Sequence, residues 1–389
     1  MDGHQKIRIC HVASGDLWAG AEVQVFNLVS ALHEVPTIEV IVLLLNSGRL
    51  ENELVARGVE VKVIEESKNR FPAVLRHANH WLEGRGVDIL HSHRFKENIL
   101  SAMLKKRNRA KYLVQTVHGL SEPERGVRKV KALIFGLVAR RFTRRYANRV
   151  VAVSNDIGRV LSTDLGARRV VIVRNSVAMP MGNLTHDRER IRREFSIAPE
   201  HILIGTAGRL KPVKAYDHFL QAAGIVADRL PDARFLIAGD GPLRQELQEL
   251  AKSLGLGDKV MFTGFRNDIE AILASLDLFV MSSRHEGIPV VLLEAMALSR
   301  PAVVTAVGGM VEVIESEKSG LLVEAGNPHE LARACLRILE NPELMRRIGE
   351  EGARRVRAEF TRDQQCRRVV ALYEQLIANP ETDRVASTE

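Results

Sequence analysis

Residues 282–301 read SSRHEGIPVVLLEAMALSRP, and from Pro289 to Leu298 every residue except Glu294 is apolar. Proline suits the first position of a helix, where its missing N–H is not needed, and the run behind it has helix length. A helix apolar on all sides belongs in an interior, where a carboxylate rarely stands without a partner. On either side lie LDLFVMS (276–282) and PAVVTA (301–306), with the length and composition of buried strands. Strand, loop, apolar helix and strand make a βαβ unit, which implies a parallel sheet covered on both faces.

The same alternation runs through the whole chain. In the first half the strand-like runs are KIRICHV, EVIVLLL, VEVKVI, DILHSH, KYLVQTV, RVVAVS and VVIV; the second half adds ILIGTAG, ARFLIAG, KVMFTG and GLLVE. The periodicity breaks at AMPMGNLTHD (178–187) and restarts at RERIRREF. At 389 residues the chain exceeds what one core usually serves. We expect an α/β protein of two domains, 1–180 and 186–362, with an amphipathic helix over 363–378 packing back on the first.

A net charge of +8 points to an anionic partner: nucleic acid, an anionic membrane or a phosphorylated small molecule. With aromatics at 5% and no basic patch interleaved with them, nucleic acid is not expected. Cys10, Cys335 and Cys366 form no CxxC pair, which fits a reducing compartment without a zinc or disulfide framework. The opening MDGHQKIRICHV is unlike a secretory leader, and no apolar run spans a bilayer. The expected location is cytoplasmic, with a peripheral place on the inner face of a membrane open.

In parallel sheets ligands gather beyond the carboxyl ends of the strands. There, SGDLWAGAE sets Gly20 ahead of a helix, and HSHRF and VHGL set His91, His93 and His118 at strand ends. Their spacing is not HExxH and no acidic pair accompanies them, so no metal is expected. His118, beside Gly119, is the one expected to face a ligand. GTAGRLKPVKAYD brings Arg209 and Lys214 to the start of a helix, two cations suited to a diphosphate. For Glu294 the residues alone leave two partners open, a ligand or an ion pair to Arg284.

Taken in order, GRL with Lys214, GDGP, FTGF and HEGIPVVLLEAMALSRP closely resemble the family 4 retaining glycosyltransferases of the GT-B fold, Glu286 and Glu294 matching the E-x7-E motif. GAE and VHG match shorter elements in the first half. Three turns depart from the pattern: Ala19-Gly20 for Gly-Gly, Ser299 for glycine before a proline, and VRNSV for Pro-Asn-Gly. The resemblance implies two Rossmann-like domains facing a central cleft, an acceptor on the first and a nucleotide sugar on the second. It implies that Glu294 accepts hydrogen bonds from the ribose hydroxyls and that Glu286, with Gly287 and Ile288, lies at the transferred sugar.

It further implies that Gly264, Phe265 and Arg266 lie at the base, uracil ahead of guanine or adenine. Arg209 and Lys214, helped by backbone N–H groups near Gly20, then neutralise the leaving diphosphate where other sugar transferases use a metal, and His118 contacts the sugar. No cofactor is implied. The expected acceptor is a glycan or lipid-linked molecule of cell-envelope or polysaccharide synthesis. The rival readings are a GT-B nucleotide-sugar epimerase and a non-enzymatic anion- or nucleic-acid-binding protein. One feature stands apart: residues 125–149 carry nine Lys or Arg and no acid, interleaved with apolar residues, which predicts docking on an anionic membrane.

Overall fold

The computed structural model describes residues 6–119, 127–180 and 184–379, without the side chains of 127–134. By its internal contacts the chain forms two units, 1–176 with 362–389, and 177–361.

The first unit is built on seven parallel strands: β1 (Ile7–Ala13), β2 (Ile38–Leu44), β3 (Glu60–Val63), β4 (Ile89–Ser92), β5 (Tyr112–Val117), β6 (Arg149–Ala152) and β7 (Val170–Ile172). Their order is β3-β2-β1-β4-β5-β6-β7, so the winding reverses between β1 and β4. Register there sets His11 beside His91. Because side chains alternate along a strand, Ile9, Val40, Val42, Ile89 and Val114 pack one face against helices Gly20–His33 and Arg362–Ala378. Cys10, Ile41, Leu43, Leu90 and Leu113 pack the other against Leu75, Leu82, Leu100 and Leu104. With both faces covered, these strands read as unbroken apolar runs.

The second unit holds six parallel strands: β8 (Ile202–Ala207), β9 (Ala233–Ala238), β10 (Val260–Gly264), β11 (Leu278–Met281), β12 (Ala302–Thr305) and β13 (Leu321–Val323), in the order β10-β9-β8-β11-β12-β13. Leu203, Leu236, Phe279 and Met281 serve one face; Ile204, Phe235, Ile237, Leu278 and Val280 serve the other. Helix Val290–Ala297 buries Leu292, Leu293, Ala295 and Met296 on the first face. Each such leucine stabilises the fold by about 1.5–3 kcal/mol.

Two details correct the sequence reading and a third explains a departure from the family pattern. The seam falls between Ser176 and Val177, ahead of 178–187. Ser176 is held by both Gln24 and Gln365 of the first unit, whereas the Val177 N–H already donates to the Phe360 carbonyl of the second, at 2.9 Å. Pro289 is the capping residue, extended at φ −71° and ψ 125°, and the helix begins at Val290. Ser299 adopts φ +58°, the left-handed conformation in which glycine has no steric cost. That accounts for the glycine at this place in the family pattern.

Among the described residues no helix is long and apolar enough to cross a membrane.

Candidate active site

In the second unit, the loops leaving β8, β9, β11 and β12 are tied together by backbone contacts that leave no room for a Cβ. A Cβ on Gly239 would stand 2.0 Å from the Gly208 carbonyl oxygen, one on Gly241 2.6 Å from that of Leu210, and one on Gly308 1.9 Å from that of Glu286. The Leu210 N–H donates to the Asp240 carbonyl, the Arg284 N–H to Val213 and the Gly309 N–H to Glu286. The Ser282 hydroxyl donates to the Ala215 carbonyl at 2.8 Å. Ala215 is left-handed, φ 47° and ψ 48°, immediately before helix Tyr216–Arg229. A non-glycine residue there costs about 1–3 kcal/mol and persists only where its surroundings hold it.

This frame carries predicted residues on two of its loops. After β8 comes Arg209, exposed, and among the described residues its guanidinium makes no hydrogen bond or ion pair. Lys214 ends a short 3-10 turn, Pro212–Lys214, and its Nζ lies 2.6 Å from Glu286 Oε1, which also accepts from the Ser283 hydroxyl at 2.7 Å. The two cations read as one pair in the sequence are therefore differently engaged: Lys214 is bound to the carboxylate and Arg209 is free to meet an anion. Gly287 and Ile288 continue the Glu286 loop, Ile288 buried.

Glu294 lies in the second turn of helix Val290–Ala297, and its carboxylate has no hydrogen-bond partner among the described residues. Arg284, the ion-pair alternative, faces Asp217 at 3.3 Å instead. Burial, and then the charge of Glu270, pushes the Glu294 carboxyl up to about 7. At the end of β10, Gly264 takes φ +71°, and Phe265 after it exposes 56% of its surface. Arg266 is held at 2.5–2.9 Å by Glu194 and Asp268, so its guanidinium is committed to the protein.

Gly20 and His118 belong to the first unit. Gly20 is the first residue of its helix. His118 is the end of a file of rings that sequence reasoning missed, His11–His93–His118, with His91 alongside. Burial lowers all four: His11 to about 3, His118 to about 4, and His91 and His93 well below the usual range. All are neutral at pH 7. Ligand atoms of His11, His91 and His93 lie within 4.8 Å of one another, but each ring already hydrogen-bonds a neighbour. Also missed is Glu22, which is 2% exposed and paired with Arg94; burial raises its pKa despite that partner. The available signal was a histidine or acid set into an otherwise apolar strand or helix face.

Comparison with known proteins fits both halves of this description. Residues 187–355 match the glycosyl transferases group 1 family and residues 18–179 match glycosyltransferase family 4. Each half of the chain thus carries a match to a glycosyltransferase family. Among relatives of these glycosyltransferase domains, the alpha-D-kanosaminyltransferase of Streptomyces kanamyceticus is 34% identical over 168 residues, 43% of each chain. The UDP-Gal:alpha-D-GlcNAc-diphosphoundecaprenol alpha-1,3-galactosyltransferase of Escherichia coli is 26% identical over 269 residues, 67% of this chain and 68% of the other. The chain spans about half the length of most of the curated relatives it matches. The crystal structure of Anabaena HepE with UDP-glucose shares the fold, with a TM-score of 0.82 at 21% identity over 95% of this chain and 100% of that one. The glycosyltransferase fold is thus GT-B, two parallel-sheet α/β domains.

Proposed function

We propose that the protein is a retaining, metal-independent glycosyltransferase that moves a sugar from a UDP-sugar to a glycan or lipid-linked acceptor of the cell envelope. The observation that carries this reading is the state of four side chains on one frame: a free Arg209, a Lys214–Glu286 pair and an unpartnered Glu294. In it Arg209 meets the diphosphate, Glu294 accepts the ribose hydroxyls, Phe265 lies against the base and Glu286 faces the sugar. Charge that grows on the leaving phosphate is met by preorganised cations, which need no reorganisation as the bond breaks. UDP is favoured because HepE binds UDP-glucose and the E. coli relative uses UDP-Gal. That relative's acceptor, a diphosphoundecaprenol-linked sugar, supports a lipid-linked one here.

The test is consumption of UDP-, GDP- and ADP-sugars with and without acceptor fractions, in EDTA. Acceptor-dependent transfer that survives chelation is expected. Loss of activity in EDTA with recovery on magnesium would reject metal independence, and conversion of the sugar without acceptor would favour an epimerase.

Donor binding should depend on pH through Glu294. Bound hydroxyls donate to the ionised carboxylate, so the donor favours the ionised form and, by linkage, binds more tightly as pH rises through about 7. Titration calorimetry across pH 5.5–8.5 checks this. Glu294→Gln should bind weakly and without that rise; an unchanged profile in the variant removes Glu294 from the ribose.

The membrane reading keeps support from helix Val127–Tyr146. Phe135, Leu137 and Val138 are exposed beside exposed Arg141 and Arg145, although Arg140 and Arg144 pair with Asp164. Arg125 lies outside the described residues, as do the side chains of Arg128, Lys129 and Lys131. Each cation near an anionic surface contributes about 1 kcal/mol. The protein should therefore co-sediment with anionic but not neutral vesicles at low salt and be released at high salt. Recovery in the supernatant with anionic vesicles, or no effect of reversing Arg141 and Arg145 to Glu, turns the assignment to a soluble acceptor.

A further inference from the structure

Six side chains of the first unit form one hydrogen-bonded file. Thr116 Oγ1 lies 2.7 Å from His91 Nε2, and His91 Nδ1 lies 2.6 Å from the Tyr373 hydroxyl. That hydroxyl is 3.4 Å from His11 Nε2; His11 Nδ1 is 2.9 Å from His93 Nε2, and His93 Nδ1 is 3.2 Å from His118 Nε2. The last atom, His118 Nδ1, is buried and has no partner.

A neutral imidazole has one N–H and one lone pair, so each ring that donates to one neighbour must accept from the other. With Tyr373 donating to one ring while it accepts from the other, the file has two polarities and its members change together. In one, Thr116 donates to His91 and each later member donates onward, leaving His118 with an unpaired Nδ1–H. In the other, His118 Nε2–H donates to His93, His93 to His11, His11 to Tyr373, Tyr373 to His91, and His91 Nε2–H to Thr116, whose own hydroxyl hydrogen is free to turn. Only a lone pair is then unpaired, and buried N–H groups are left without an acceptor more rarely than acceptors without a donor.

We propose that Tyr373, on the helix Arg362–Ala378, is a positioning residue that acts through His11 and His93 to hold His118 protonated on Nε2, so that Nδ1 offers its lone pair to a substrate hydroxyl. The proposal rests on the reading that His118 touches the sugar or the acceptor. Tyr373→Phe strands the His11 N–H in a fully buried ring. Reversal moves the unpaired N–H from the fully buried His11 ring to His118 Nδ1, a buried atom on the one ring of the four that keeps partial exposure and the atom a substrate hydroxyl would reach. Thr116→Val strands the His91 N–H and drives the same reversal from the opposite end.

The experiment is long-range proton–nitrogen NMR of the full chain labelled with 15N-histidine, without substrate, together with steady-state kinetics. His118 is expected to carry its proton on Nε2 in the wild type and in Thr116→Ser, and on Nδ1 in both Tyr373→Phe and Thr116→Val. Both reversing variants should lose roughly tenfold or more in kcat with donor KM unchanged. A wild-type proton on Nδ1, or variants that leave the tautomer where it was, overturns the proposal; Thr116→Val decides it alone should Tyr373→Phe not fold. Tautomers that reverse while turnover stays constant overturn instead the reading that His118 touches a reacting sugar.

Discussion

Arg209→Ala is expected to lower kcat by roughly a hundred- to a thousandfold while donor KM changes little. The guanidinium is exposed at the end of β8 and has no protein partner among the described residues, so its removal neither unsatisfies a buried group nor disturbs the frame. An interaction that strengthens as charge develops on the leaving phosphate acts on turnover, whereas one equal in ground and transition states acts on binding. Arg209→Lys should recover only part of the loss, because an ammonium cannot make the bidentate contact of a guanidinium. Single-turnover rates at saturating donor and acceptor are the measurement. Wild-type turnover in Arg209→Ala removes Arg209 from the leaving group.

Lys214→Ala is expected to cost about a hundredfold in kcat, and it should also destabilise the second unit, which Arg209→Ala should not. The difference lies in the 2.6 Å contact to Glu286 Oε1, in which both side chains are mostly withdrawn from water, at 20% and 11% exposure. Without the ammonium, the Glu286 carboxylate keeps one hydroxyl donor, Ser283, and a partly buried charge left short of partners costs on the order of 1–3 kcal/mol. In Lys214→Ala/Glu286→Gln the stability should return, since the stranded charge is gone, but turnover should not. A double-mutant cycle read in both melting temperature and kcat tests this. Additive stability losses would show that the pair does not organise the frame.

Much of the fold was legible because burial on both faces writes itself into composition. LDLFVMS and PAVVTA read as strands, and PVVLLEAMA as a buried helix, from periodicity and length alone. Ligand chemistry was legible where a charge interrupts such a run, as at Glu294, or stands at a strand end, as at Arg209. Engagement was not. Nothing in GRLKPVK separates a free Arg209 from a Lys214 bound to a carboxylate far along the chain. Nothing in HEGIPVV shows that Gly308 and Gly309, from another loop, hold Glu286 by close backbone contact.

The sequence by itself determined two parallel α/β sheets, the strand-end placement of the candidate residues and the resemblance to a glycosyltransferase family. Those properties depend on residue type at short spacing, which local periodicity carries. Only the tertiary structure decided that His11, His93 and His118 join Tyr373, His91 and Thr116 in one file, and that Arg266 is spent on Glu194 and Asp268. These partners come from strands made neighbours by register and from helices distant in the chain, and hydrogen-bond satisfaction across such distances follows from packing, not from pattern.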